Sequence, residues 1–214
     1  PKPSDPPPPV TANQSVRAAD TIPDGADALA DSLLADVRTL DSTIAVDMRY
    51  RNANNFTGAR LAGYEGNRAL LRREAAKALA RVQSSLKSEG LGLLVWDAYR
   101  PVRATRAMVE WTQTTRQEQL VRDGYIADRS KHNLGVAIDL TVVKLGTMAQ
   151  LDMGTPHDEF SARAHTANAT GAVAANRDKL VRAMTAQGFT NYDMEWWHFS
   201  FNVSNPIRFD MVIR

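Results

Sequence analysis

Apolar side chains recur along this chain in two rhythms, and the rhythms alternate. Over residues 26–40, Leu29, Leu33, Leu34 and Val37 fall on one face at helical spacing, which predicts a first helix. Residues 43–50 switch to a period of two, with Ile44, Val46 and Met48 on one side, and read as a strand. The Asn-rich stretch 52–63 is a loop. Leu71, Ala75, Ala78, Val82 and Leu86 then make an apolar stripe between charged faces, predicting a second helix over 67–88 that Gly90 stops. A short buried strand follows at 91–96. Pro101 stands where a first helical turn begins, and helix formers continue over 102–119, so Arg100 lies at a strand-to-helix junction, where side chains reach the mouth of a sheet. Over 136–143 the period is two again: Ile138, Leu140 and Val142 share one face, and Ala137, Asp139 and Thr141 the other. Residues 145–170 lack periodicity and form a long loop, 176–187 a helix ended by Gly188, and 199–203 an aromatic-rich strand. There is no regular βαβ repeat and no internal repeat. The pattern predicts an α+β fold, a single domain with helices packed on a mainly antiparallel sheet.

Composition narrows the setting. Residues 1–21 are rich in Pro, Ala, Ser and Asp, with too few large apolar groups to offset the entropy of ordering, so a disordered Pro-rich tail is expected before a catalytic domain at 22–214. The apolar share of 43% and charged share of 23% are those of an ordinary globular protein, and no apolar run approaches the roughly 20 residues of a membrane span. With 26 basic against 24 acidic residues the net charge is +2, and no basic block carries interleaved aromatics, which argues against nucleic acid as a partner. The chain opens at Pro1, and Pro3 and Pro6 to Pro9 form a polyproline-like lead-in; the expectation is a processed, exported protein, periplasmic or otherwise outside the cytoplasm, with a cytoplasmic one as the alternative. The sequence leaves the oligomeric state open.

There is no cysteine, so a metal must be held by nitrogen and oxygen. Two separated segments supply such donors: Ser130 to Asp139, with His132 and Asp139, and Glu195 to His198. A catalytic zinc needs three protein ligands, an open position for water and a base that is not itself a ligand. His132, Asp139 and His198 form the candidate ligand set, with Glu195 as the base. Gly135 lets the segment after His132 turn tightly into the strand bearing Asp139. Trp196, Trp197 and Phe199 are expected to fill core and, beside Glu195, to dry the site and raise its basicity. Arg100 at a helix start wants an anion in front of it, and a developing oxyanion is one; Asp97 is placed to pair with Arg100 or orient it.

Taken together, Ser-x-His-x-x-Gly-x-Ala-x-Asp (130–139), Glu-x-x-His (195–198), Trp-Asp-Ala-Tyr-Arg-Pro (96–101) and Asp-Met-Gly-Thr (152–155) closely resemble the D-alanyl-D-alanine dipeptidases of the VanX type, in zinc peptidase family M15. Asn54 to Gly58 and Gly63-Tyr64 resemble that family's N-terminal signature, and the likeness runs from about Asp41 to Arg214. The resemblance implies one Zn2+ per chain on His132, Asp139 and His198, Glu195 as general acid/base, and Arg100 stabilising the tetrahedral intermediate. It further implies that Tyr50 and Asp158 hold the substrate ammonium and that Ser130 helps hold the carboxylate of D-Ala-D-Ala, a small dipeptide of peptidoglycan metabolism or glycopeptide resistance. The family usually has Phe where this chain has His157. That imidazole either perturbs Asp158 or points to solvent, and solvent is the preferred expectation. Two rival readings are a D,D-carboxypeptidase or endopeptidase of wall peptides, and a non-catalytic zinc-binding wall module; a binding module has no use for Glu195.

Overall fold

The computed structural model describes residues 22–214, and the tail expected over 1–21 lies outside them. In chain order the elements are α1 (Ala26–Leu33), β1 (Leu34–Asp36), β2 (Ala45–Val46), β3 (Leu70–Arg72), α2 (Arg73–Lys87), β4 (Leu91–Asp97), α3 (Val102–Thr114), α4 (Gln119–Arg122), β5 (Ala137–Lys144), α5 (Gly171–Thr185), β6 (Phe189–Tyr192) and β7 (Glu195–Phe201). Five strands form the main sheet in the order β2-β4-β5-β7-β6, parallel only between β2 and β4. β1 and β3 make a separate antiparallel pair. The α+β architecture on a mainly antiparallel sheet is as expected.

β5 is the central strand, and every residue from Ala137 to Val143 is buried, so both faces of the strand are covered. On one side α2 packs against β4 and α5 through Ala75, Ala78, Leu79, Val82 and Leu86. Each buried leucine or valine there is worth roughly 1.5–3 kcal/mol over an exposed one. Gln83 sits within this apolar stripe. It is tolerated because both ends of its amide are used: Oε1 accepts the Leu93 N–H at 2.8 Å and Nε2 donates to Thr43 Oγ1 at 2.9 Å. No helix among the described residues is long and apolar enough to cross a membrane.

Several boundaries differ from those the periodicity predicts. The first helix stops at Leu33 instead of reaching residue 40, because Leu34 to Asp36 pair with Arg72 to Leu70; its buried residues are Ala26 and Ala30, while Leu29 is 45% exposed. For the same reason the second helix begins at Arg73, and Leu71, counted in its stripe, is a buried strand residue. The strand over 43–50 shrinks to Ala45–Val46. The Asn67 side chain accepts from the Met48 N–H and donates to the Val46 carbonyl, taking the place of a neighbouring strand, and the chain then coils into a tight turn at Arg49–Arg51 that buries Tyr50. α3 ends at Thr114, where Thr112, Thr114 and Thr115 return their hydroxyls to earlier carbonyls and Arg116 takes a positive φ of 57°. α5 starts at Gly171, five residues early, and the last strand starts at Glu195, paired with β6 in a hairpin that the pattern does not reveal.

Gly135 links fold to site. It closes the turn Lys131–Leu134 with φ 65°, its N–H bonds the His132 carbonyl at 3.0 Å, and its own carbonyl accepts the Arg72 N–H at 2.7 Å. A Cβ there would stand 2.5 Å from Leu34 Cδ2. Gly135→Ala is therefore expected to destabilise the protein by about 2 kcal/mol, measurable as a lowered midpoint in denaturant unfolding.

Candidate active site and metal centre

The three expected ligands come from three local structures that meet at one end of the sheet. β5 and β7 pair so that Asp139 lies directly opposite His198, and Asp139 Oδ1 is 2.9 Å from His198 Nδ1. His132 stands in the turn before β5, capped by Ser130, whose Oγ accepts the His132 backbone N–H at 3.2 Å. The Ala98 carbonyl, 2.6 Å from His132 Nδ1, accepts a hydrogen bond from the N–H there, which leaves the Nε2 lone pair to face the site. That Nε2 lies 3.2 Å from His198 Nδ1 and 3.5 Å from Asp139 Oδ2.

These separations fit a metal. One donor atom from each residue can be chosen so that all three lie within 4.8 Å of one another, close enough for a single ion to reach them at about 2.0–2.2 Å with small side-chain adjustments. Nitrogen and carboxylate donors without sulfur suit zinc, and the three residues form a group able to hold an ion. Burial alone would raise the Asp139 carboxyl, but His132, His157 and His198 outweigh it and hold it well below the ordinary range. Burial pushes His198 down, toward the neutral ring a metal requires.

Glu195 opens β7, on the same strand as His198, and its Oε2 is 3.9 Å from His198 Nδ1. Burial first, then the Asp139 and Asp158 carboxylates, raise its carboxyl well above the usual range. Such surroundings make its carboxylate form a strong proton acceptor, and a cation beside it would favour that ionised form. Trp196, Trp197 and Phe199 are buried as expected, and Trp197 lines the cavity in front of Glu195.

Arg100 is aimed from the β4-to-α3 junction by Asp97, which accepts from Nε at 2.9 Å and Nη2 at 2.8 Å. Asp97 is fully buried; its other oxygen accepts the Tyr64 hydroxyl at 2.6 Å, and it lies 3.4 Å from His132 Nδ1. Desolvation would loosen the guanidinium proton, but Asp97, with Tyr50, Tyr64 and Asp139, raises its pKa well above the ordinary value. The Asn133 side chain joins the Arg100 carbonyl to Thr105, locking the junction to the His132 turn. The sequence pairs Asp97 with Arg100, but Tyr64 and the Ala98 carbonyl emerge only in three dimensions.

The Tyr50 hydroxyl donates to both oxygens of Asp158, 3.1 Å from each, and the Arg100 guanidinium lies 5.1 Å from the Tyr50 ring centre. Burial, then Asp158, raises the Tyr50 hydroxyl well above its usual range, so it stays a donor. Asp158 adopts φ 62°, and burial raises its carboxyl too. The expectation that His157 points to solvent is wrong. Its side chain is 6% exposed, because it stacks on Trp96 at 4.9 Å between ring centres and sits edge-on to Trp197, contacts that cover most of the ring. Its Nε2 faces Asp139 Oδ2 at 3.5 Å and Asp158 Oδ1 at 3.3 Å.

One cavity of about 330 Å3 collects every expected site residue: Tyr50, Arg100, Ser130, His132, Asp139, Asp158, Glu195 and His198. That volume is at the small end for ligand pockets. A donor set for a cation, a high-pKa carboxyl, a fixed guanidinium and an acidic clamp in so small a space can bind a short zwitterion and attack its central bond.

The family model described as D-ala-D-ala dipeptidase, Peptidase_M15, matches residues 31–206. The D-alanyl-D-alanine dipeptidase of Enterococcus faecium is 36% identical over 169 residues, covering 72% of this chain and 83% of that one. The enzyme of the same name from Streptomyces coelicolor is 35% identical over 179 residues, 77% of this chain and 89% of its own. That of Escherichia coli K12 is 37% identical over 169 residues, 78% and 83% respectively.

Asp97→Ala would leave the Arg100 guanidinium buried without its main partner. The expected cost is about 3–5 kcal/mol, read by denaturant unfolding of the metal-free protein, with Asp97→Ala/Arg100→Met recovering part of it.

Proposed function

The chain belongs to the D-Ala-D-Ala dipeptidase family of zinc peptidases, and on that basis we propose that it hydrolyses D-Ala-D-Ala to two molecules of D-alanine. The observation that carries this reading is the convergence of all eight groups on one small cavity. One zinc per chain, held by His132, Asp139 and His198, would supply an acidified water and a Lewis acid for the scissile carbonyl.

The residues of this chain do the rest. Glu195 takes the proton of the attacking water and returns it to the leaving amine, a task suited to a carboxyl whose pKa its surroundings raise. Arg100, braced by Asp97, presents fixed positive charge to the oxyanion that develops as the carbonyl becomes tetrahedral. Tyr50 and Asp158 receive the substrate ammonium. Ser130, whose Oγ accepts a backbone N–H and keeps its own proton to donate, receives the carboxylate. Because Asp158 and Tyr50 meet the ammonium and Ser130 the carboxylate, a blocked terminus leaves a buried polar partner unmatched, which confines the enzyme to free dipeptides. Such a substrate places it in peptidoglycan metabolism, acting on cell-wall precursor or on dipeptide released from the wall.

Chelation is expected to abolish D-alanine release from D-Ala-D-Ala, and added zinc to restore it. Glu195→Ala should still bind zinc but lose roughly 100- to 10,000-fold in kcat; an active variant would refute the role given to Glu195. On N-acetyl-D-Ala-D-Ala, kcat/KM is expected to fall by about 100-fold or more relative to the free dipeptide, and comparable values would point to a wall carboxypeptidase.

A further inference from the structure

Arg177 shares the buried face of α5 with Leu180 and Met184 and is 2% exposed. No carboxylate forms an ion pair with it among the described residues; its guanidinium donates to three backbone carbonyls, Nε to Met153 at 2.8 Å, Nη1 to His165 at 2.7 Å and Nη2 to Arg163 at 3.0 Å. A buried charge without a counter-charge is costly, and a helix that needed packing alone would carry an apolar side chain here. What a planar fork of donors does, and an apolar group or a single ammonium does not, is to hold two lengths of chain at a fixed separation. The three carbonyls lie on the two limbs of segment 153–165, Met153 on the outgoing limb and Arg163 and His165 on the returning one, and Asp158 stands midway between Met153 and Arg163. Between the limbs, Trp196 Nε1 donates to Thr155 Oγ1 at 2.8 Å, and Phe160 lines the cavity together with Asp158.

We propose that Arg177 is a positioning residue for amine recognition: by pinning both limbs it holds Asp158 in place against Tyr50, where the substrate ammonium is received. The inference rests on the dipeptidase reading. Asp158 takes φ 62°, a left-handed conformation that a residue with a side chain keeps where its surroundings enforce it. The Tyr50 hydroxyl reaches both of its oxygens at 3.1 Å, so the clamp depends on where the backbone sets this one residue. With the limbs free to part, Asp158 would relax toward an ordinary φ and swing away from Tyr50. His132, Asp139, Glu195 and His198 stand on β5, on β7 and in the turn before β5, and would keep their places. The loss therefore falls on the amine end of the substrate, while the metal centre and the carboxylate end are spared.

The test uses zinc-loaded Glu195→Gln protein, which holds ligand without turnover, and compares by calorimetry the affinities for D-Ala-D-Ala and for propionyl-D-alanine, the same skeleton without the amine. Adding Arg177→Met is expected to weaken the dipeptide by about 10-fold or more and propionyl-D-alanine by less than about 3-fold, with zinc content unchanged. In protein that already carries Asp158→Asn, the same substitution should change the ratio of the two affinities by less than about 2-fold, because the carboxylate it acts through is gone. A purely structural role would lower both affinities alike in either background. If Arg177→Met does not fold, Arg177→Lys, whose single ammonium cannot grip both limbs, is read in its place with the same outcomes. A variant that loses its zinc or keeps the ratio of the two affinities overturns the proposal, as does an equal change of that ratio in the Asp158→Asn background. Failure of the zinc-loaded wild type to release D-alanine would sink the dipeptidase reading instead, so the two failures are distinct.

Discussion

The ion pair of Asp97 with Arg100 is the interaction on which the site depends. Asp97 ends β4 and Arg100 precedes α3, so the pair spans the bend between strand and helix. The same carboxylate takes the Tyr64 hydroxyl and approaches His132 Nδ1, while the Ala98 carbonyl, one residue on, sets the proton on that ring. One buried charge thus fixes a guanidinium and a tyrosine from the N-terminal half, and it stands beside His132, a candidate metal ligand. Its burial is tolerable because each oxygen has a partner.

Around this pair the interior carries more negative than positive charge. Asp97, Asp139, Asp158 and Glu195 are carboxyl groups in one buried neighbourhood, and Arg100 is the guanidinium among them. The surroundings answer by separating their behaviour. Asp139, ringed by three imidazoles, is held low, while Glu195 and Asp158 are pushed up. A divalent cation at His132, Asp139 and His198 would relieve the imbalance and release Glu195 to act as a base. The opposite behaviour of the Asp139 and Glu195 carboxyls therefore follows from their environments.

Much of the fold was legible where a segment's own pattern admits one reading. β4 and β5 were read nearly to the residue, β4 from a short apolar run before Pro101 and β5 from alternation that puts Ile138, Leu140 and Val142 on one face. The pair β1 with β3 was not, because residues 34–36 and 70–72 meet across more than thirty residues and each segment by itself continues a helical stripe. The hairpin of β6 was missed for a related reason: Thr190 and Asn191 are polar edge-strand residues, and only Phe189 announces a buried face.

What the sequence by itself determined was the chemistry of the site. The donor types, the short spacing of His132 and Asp139 across Gly135, and the placing of Glu195 and His198 three residues apart are local properties that survive any global arrangement. Tertiary structure decided the distances, because Asp139 and His198 become opposite neighbours only through the pairing of β5 with β7. It also decided the place of His157, for which solvent was the preferred expectation. The rings of Trp96 and Trp197, brought from two different strands, enclose it and turn its nitrogen onto two carboxylates, and no local pattern encodes an environment assembled from such distant segments.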